Sequence, residues 1–404
     1  MINSGDTAWV LISAALVILM TPAVGFFYGG MVRKKSILST IMMCFAALFL
    51  ISIQWVLFGY TLAFGPTKGG VIGGLNWLGL LGVGQTPDPN YAATIPALCF
   101  MIFQAAFAIV TPSLIVGAFV ERIKFASFLI FTGLWSTLVY DPVAHWVWGM
   151  GGWLRNMGAL DFAGGTVVHV TAGFSALAIA LVIGKRIGYG KDNMEPSNIP
   201  LVVLGAILLW FGWFGFNGGS ALAANGLAVS AFVVTNTAAA AAALMWMLLS
   251  WLHRRPSVLG IATGAVVGLV AITPASGFVG PLSAIAIGGV ASVISYYMIV
   301  LRMHFRIDES LDAFACHGMG GVWGSIATGI FAQKAINPAG ANGLLFGNPG
   351  LVWTQFIAVA VTAIFSFVVT YVLATLIDLF VGLRVTENEE LVGLDISQHA
   401  ESAS

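Results

Sequence analysis

Apolar residues run along this chain in long blocks, separated by short polar or Gly/Pro-rich stretches. A block of about 20 such residues is long enough to cross the hydrocarbon of a bilayer as a helix. Blocks of this kind fall near 8–28, 37–63, 92–119, 125–144, 164–184, 198–216, 227–252, 257–273, 279–301, 311–333 and 350–380. They predict eleven spanning helices, of which the fourth has Asp141 and Pro142 near its end and the eighth is short. The longest connector, 64–91, is Gly-rich, and no stretch is long enough for a soluble domain. The chain therefore divides into a membrane domain, 1–382, with spans 1–5 over 8–184, spans 6–10 over 198–333 and span 11 over 350–380, and a polar tail, 383–404. The tail is acidic (Glu387, Glu389, Glu390, Asp395, Glu401), as a solvated terminus would be, and its length suits a docking segment.

Composition agrees with the pattern. Hydrophobic residues make up 59% of the 404 positions and charged residues only 8%, against about 25% charged in soluble domains. So few charges exclude a water-facing surface of this size, and with it a soluble enzyme, a disordered chain or a basic nucleic-acid binder. Lipid is the solvent for most of this surface.

The net charge is zero, but the positions of the positive charges are not random. Connectors after odd-numbered spans carry Arg33, Lys34, Lys35, Arg122, Lys124, Lys185, Arg186, Lys191, Arg254, Arg255, Arg302 and Arg306, and Arg384 follows the last span. The opposite connectors hold only Lys68, Arg155 and Lys334. Cytoplasmic loops are the ones enriched in Lys and Arg. The bias predicts an external N-terminus and a cytoplasmic C-terminus, and it checks the span count, since a missed helix would scramble the alternation. The first 32 residues contain no Lys or Arg, so they lack the basic region of a signal peptide, and Ala8 to Tyr28 reads as a retained first span. Cys44, Cys99 and Cys316 lie in apolar runs without metal-like spacing and read as packing residues.

Ionisable groups inside spans are costly and are functional candidates by default. His169 follows Asp161 in the fifth span, and His317 follows Asp312 in the tenth. Small residues flank both at four-residue spacing: Gly165 and Gly173 around His169, Ala313 and Gly321 around His317. Small residues let helices approach closely, which would bring the imidazoles together. Spans five and ten run antiparallel, the relation of equivalents in two inverted five-helix repeats, a transporter signature. A lone histidine is more often a packing residue, but two at equivalent positions beside aspartates are not easily explained so. No third ligand accompanies them at helical spacing, so neither metal nor cofactor is expected. Trp146, Trp148 and Trp153 cluster just beyond the fourth span, where an interfacial belt is the ordinary explanation. Aromatic faces also attract cations. Phe107 lies toward the outer half of the third span, and the run Trp213–Phe216 leads to Asn217 and the hydroxyl of Ser220.

Together these residues resemble the ammonium transporter family (Amt/Mep/Rh), in its bacterial and archaeal Amt branch, over nearly the whole chain. Asp161–Gly173, DFAGGTVVHVTAG, is similar to the family signature. Trp213–Ala221 (WFGFNGGSA), Gly117–Phe125 (GAFVERIKF) and Gly382–Ser397 (GLRVTENEELVGLDIS) match in the same order. The resemblance implies an all-α protein of eleven spans, two inverted five-helix repeats plus a long final helix, assembled as a homotrimer in the cell membrane with a pore in each subunit. It implies ammonium or ammonia as substrate, methylammonium as an analogue, and a transport rather than an enzymatic role in nitrogen uptake. Trp148, Phe107 and Ser220 would form an external recruitment site, supported by Asp161. Phe107 and Phe216 would be a stacked gate below it, and His169 and His317 the twin pore histidines, with Asp312 in structural support. A PII-type regulatory protein would bind the cytoplasmic loops and tail. A sensor of the same fold with little flux is the alternative. In one respect the sequence departs from the bacterial pattern: the stretch from Trp148 to Asp161 is one residue longer, which puts the adjustment in the outer loop next to Trp148.

Overall fold

A computed structural model describes residues 1–253 and 255–403. Among the described residues it contains eleven long helical segments, eight of them unbroken and apolar over a membrane-crossing length. In chain order they are α1 (Ser4–Met31), α2 (Ile37–Gln54, continued by Tyr60–Phe64), α3 (Ala97–Phe119), α4 (Phe125–Trp135, continued by Asp141–Trp148), α5 (Gly165–Val170 and Thr171–Ile183) and α6 (Ile199–Gly219). The remainder are α7 (Gly226–His253), α8 (Val258–Ile272), α9 (Pro281–His304), α10 (Phe314–Gly318 and Met319–Phe331) and α11 (Gly350–Phe380).

The boundaries follow local chemistry. Pro96 precedes α3, Pro281 opens α9 where its missing N–H costs nothing, and Ser257 caps α8 by accepting from the Gly260 amide. One span extends beyond the apolar pattern. In α4 a π-helical turn, Ser136–Tyr140, lies just before Asp141 and Pro142, so the proline falls at the start of a new helical segment and the helix runs on to Trp148. Trp146 and Trp148 therefore sit on its last turn instead of beyond it. A similar π-helical turn, Trp55–Gly59, carries α2 to Phe64.

The bundle is organised around α3, whose residues Ala105–Phe119 are all buried. Other spans bury one face and leave side chains such as Phe49, Ile53, Phe211, Leu244, Ile364 and Leu379 exposed, as lipid contact requires. Two seams bring backbones close. Along α1 and α6, a Cβ added at Gly205 would run into the Phe27 backbone, and one at Gly215 into Ser13 and Leu16. Along α5 and α10, one added at Gly173 would overlap the backbone of Gly318. Both seams join spans five apart, the relation expected of two inverted halves.

Four of the basic connectors meet where charges are tied together, while Arg254, in the connector after α7, lies outside the described residues. Glu121 accepts from Arg33 Nε at 3.0 Å and from Arg186 Nη1 at 2.8 Å, and Arg186 Nη2 reaches Asp308 at 2.8 Å. The buried Arg122 guanidinium donates to the carbonyls of Ala118, Val120, Gly184 and Asp308 and to Ser310 Oγ. Four connectors are thus clasped by one network. The tail is strapped over it. Arg384 pairs with Ile123 as an isolated strand bridge. Two short helices follow, Glu387–Val392 and Leu394–His399. The Asp395 carboxylate caps α2 by accepting from the Leu38 and Ser39 amides at 3.0 and 2.7 Å, and Lys35 Nζ donates to the Glu390 and Leu391 carbonyls. Glu390 and Asp395 are consequently buried and partnered, so the segment is docked rather than solvated.

Burial alone would raise the Glu121 and Asp308 carboxyls, but Arg186 and Arg33 around the first, and Arg186 and Arg122 around the second, outweigh it and hold both below the usual carboxylate values. A carboxyl lowered in the folded state stabilises it above the unfolded value, and that contribution is lost as pH falls through the lowered one. The melting temperature of the detergent-solubilised protein should therefore change little between pH 8 and about 5 and drop below about pH 4. Glu121→Gln with Asp308→Asn should melt lower at pH 7 and lose less on acidification.

Candidate functional site

The site begins with the chain turning into α5. Gly164, at φ +123°, adopts a backbone that a side chain would strain. The Asp161 carboxylate then gathers the amides that the start of a helix leaves free. Its Oδ1 accepts from the Gly164 and Gly165 amides, each at 2.7 Å, and its Oδ2 from the Thr166 amide at 2.8 Å and the Val167 amide at 3.3 Å, with the Thr166 hydroxyl adding a further bond. The Asp161 backbone carbonyl accepts from the Trp148 indole at 2.9 Å. One residue thus sets the start of α5 and fixes the Trp148 ring.

At α10 the equivalent cap is Glu309, which accepts from the Ala313 and Phe314 amides at 2.6 and 3.1 Å. Asp312, the residue singled out by sequence, instead faces Arg302 Nη2 at 2.7 Å and takes a left-handed φ of +59°. Burial, reinforced by the Asp312 carboxylate, pushes Glu309 above the usual carboxylate range. Counted from Asp161 and Glu309, both histidines fall eight residues after their cap. Both also lie in π-helical turns, Gly165–Val170 and Phe314–Gly318, a distortion common at functional sites.

The expected meeting of the histidines occurs. His169 Nδ1 and His317 Nδ1 are 3.3 Å apart, and the rings lie nearly parallel at 21° with centroids 5.4 Å apart. One of the two nitrogens must carry the hydrogen and the other accept it. His169 Nε2 is buried without a partner. Trp213, its indole donating to Thr273 Oγ1 at 2.8 Å, stacks on His169 at 5.5 Å.

Three spaces lie in series through the bundle. On the face opposite the tail, a vestibule of about 190 Å³ is lined by Phe107, Trp148, Ser220, Gln104, Tyr91 and Arg155. Phe107 meets Trp148 edge-on at 5.9 Å and Phe216 at 4.5 Å. The Phe107 and Phe216 rings close the vestibule floor, tilted by 59° and not stacked in parallel. Beyond them a lumen of only about 10 Å³ passes His169 and His317 among Val110, Leu114, Val168 and Leu209. That is room for about one water. His317 also borders a third space of about 280 Å³, with Asp312, Cys316 and Tyr28, on the tail side. Every predicted site residue therefore lies along one line, with Asp161 and Asp312 beside it.

Sequence reasoning missed three contributors. Gln104 stands one helical turn before Phe107, the only hint it gave, and its Oε1 is buried without a partner. Tyr28 borders both lower spaces, its hydroxyl donating to the Leu114 carbonyl. Arg155 sits in the outer-loop stretch between Trp148 and Asp161 that is one residue longer than the bacterial pattern. That extra residue leaves Trp148 in contact with Phe107 and Asp161.

A narrow apolar conduit through a bundle of spanning helices, with aromatic groups at one mouth and paired imidazoles in its middle, defines a multi-pass membrane protein built to pass a small solute. The sequence profile of the Ammonium Transporter Family matches residues 8–404, and the chain belongs to that family. It is 51% identical over 403 residues to the ammonium transporter of Bacillus subtilis, covering 99% of this chain and 98% of that one. It is 52% identical over 401 residues to the ammonium transporter Amt1 of Archaeoglobus fulgidus, covering 99% of each. Among solved structures it is similar to Candida albicans Mep2 (TM-score 0.91, 36% identity, 96% of this chain and 88% of that one). It is also similar to a structure titled Sensor Amt Protein (TM-score 0.90, 30% identity, 98% of each chain).

Replacing Asp161 by Ala would leave several buried amides unpartnered, at roughly 1–3 kcal/mol each. Asp161→Ala should fail to yield folded protein or melt far lower in detergent. Asp161→Asn, which keeps one acceptor oxygen, should fall between it and wild type.

Proposed function

We propose that this protein recruits ammonium in the vestibule, where it gives a proton to vestibule water above the aromatic floor, and conducts the resulting ammonia through the lumen past the two histidines. The observation that carries the proposal is the His169–His317 contact in a conduit otherwise lined by apolar side chains. Moving a bare ion into low dielectric costs of order 20 kcal/mol in the idealised Born limit. At the vestibule that cost is partly offset by the faces of Trp148 and Phe107. Ser220 donates its hydroxyl hydrogen to the Phe216 carbonyl at 2.8 Å, which leaves its oxygen as an acceptor for an N–H. None of the residues lining the lumen is an acid, a lysine or an arginine, so the neutral molecule is the species that fits.

The histidine pair suits it. Each neutral ring has one N–H and one bare nitrogen. With a single hydrogen between the Nδ1 atoms, one Nε2 is bare and the other carries hydrogen, a matched acceptor and donor for ammonia. The same pair can relay the released proton, in which case net charge moves. Potassium has no N–H to give to Ser220 or to an imidazole, which is the basis for its rejection. The vestibule is taken to face outside and the docked tail the cytoplasm, in keeping with the basic connectors. The working unit is a homotrimer in the cell membrane, its 1–382 membrane domain followed by the 383–404 tail. The tail and basic face would receive a PII-type regulator.

Methylammonium uptake in cells lacking their own transporters tests the proposal. His169→Ala with His317→Ala should reduce uptake by about 10²-fold, the scale of a lost acid–base pair. Unchanged uptake would overturn the role of the pair, and currents on a solid-supported membrane read whether charge moves with it. Trp148→Leu should raise KM roughly two- to thirty-fold, the equivalent of about 0.5–2 kcal/mol of cation–π attraction, with a smaller effect on Vmax. The likeness to the Sensor Amt structure favours a second function, ammonium sensing. A sensor would bind ammonium and give neither uptake nor current.

A further inference from the structure

The vestibule assigned to a cation contains a cation of its own. Arg155 lines the same space of about 190 Å³ as Trp148, Phe107 and Ser220. Its Nη1 donates to the backbone carbonyl of Trp148, so its charge sits against the residue whose ring forms the site. Its position is set by the short helix Trp153–Asn156, which is tied to the 64–91 connector where the Trp153 amide donates to the Gly70 carbonyl at 3.1 Å. Among the described residues no carboxylate lies within ion-pair distance of it. Asp88 lies three residues before Tyr91, which lines the vestibule, and is not paired with Arg155. The Asp161 carboxylate is occupied by the amides of α5. The Arg155 guanidinium is thus exposed to solvent and has no carboxylate partner among the described residues.

We infer that Arg155 sets the affinity of the vestibule: its unpaired guanidinium repels every monovalent cation that enters. The inference rests on the recruitment site proposed above. A space this small is narrower than about 10 Å, the screening length at 0.1 M salt, so the repulsion is felt at the site. Partly solvated like charges at such range alter an equilibrium by about two- to fivefold. The penalty is the same for ammonium and for alkali ions. An ion held by a directed N–H bond to Ser220 recovers part of it, so the charge keeps the vestibule from filling with weakly held cations.

The test uses the full-length protein carrying Arg155→Gln or Arg155→Lys, reconstituted in proteoliposomes. Methylammonium KM and potassium inhibition are measured at ionic strengths of about 20 and 500 mM. Calorimetry on the purified proteins gives the methylammonium Kd. Arg155→Gln should lower KM and Kd by about two- to fivefold at low salt and by little at high salt, with the potassium inhibition constant falling by the same factor. Arg155→Lys keeps the charge and should retain most of the wild-type salt dependence. An unchanged or raised Kd for Arg155→Gln at low salt would overturn the inference. So would equal effects of the Gln and Lys variants, which would assign the residue a purely structural hold on Trp148. Wild-type binding without uptake would contradict transport while leaving the Kd comparison decisive. No binding by either protein would remove the recruitment site and this inference with it.

Discussion

The conduit depends on the approach of α5 and α10, backbone against backbone. Gly173 sits directly on Gly318, and a side chain at Gly321 would press on the His169 side chain. In lipid there is no hydrophobic gain from bringing helices together, so close dispersion contact between small residues supplies the attraction. Only at that separation can two imidazoles share a hydrogen across the seam. The caps then fix the register. Asp161 and Glu309 each take up the free amides of a helix start, and each histidine follows eight residues later. Backbone satisfaction, an unconditional demand in hydrocarbon, thereby places the two polar groups of the lumen.

The other parts follow from the same constraint. A lumen of about 10 Å³ admits no hydrated ion. Dehydration therefore has to be arranged outside it, where aromatic faces and a hydroxyl oxygen stand around the vestibule. Trp148 is held there by the same residue that caps α5, so vestibule and lumen are positioned by one side chain. At the opposite end the tail is joined to the connectors of α1, α3, α5 and α9 through Arg122, Arg186, Glu121 and Asp308. Glu309, the cap of α10, is the neighbour of Asp308 in that clasp. The tail and the His317 helix thus belong to one connected structure.

Much of this was legible in the sequence because hydrocarbon admits so few polar groups. The block pattern gave the spans, the basic connectors gave their alternation, and the small neighbours of His169 and His317 gave the contact between them. Three features were not legible. The π-helical turns leave no signature in an apolar run, so α4 was expected to end near residue 144 when it runs to Trp148. Asp312 lies closer to its histidine in sequence than Glu309 does, and only the backbone turn at Asp312 shows which carboxylate caps the helix. Arg155 looked like an ordinary loop charge, since a polar connector does not reveal which cavity it borders. In each case the missing information was a backbone path and not a residue type.

The lumen is proposed to pass a molecule that has given up its charge and can donate N–H bonds. The most direct measurement adds labelled methylammonium and, separately, labelled rubidium as a stand-in for potassium to the outside of proteoliposomes containing the purified protein, and follows entry of each. Saturable methylammonium entry with rubidium no faster than in protein-free vesicles is the predicted result. Rubidium entry at a comparable rate would contradict the account, since a lumen that passes an alkali ion cannot be selecting by deprotonation.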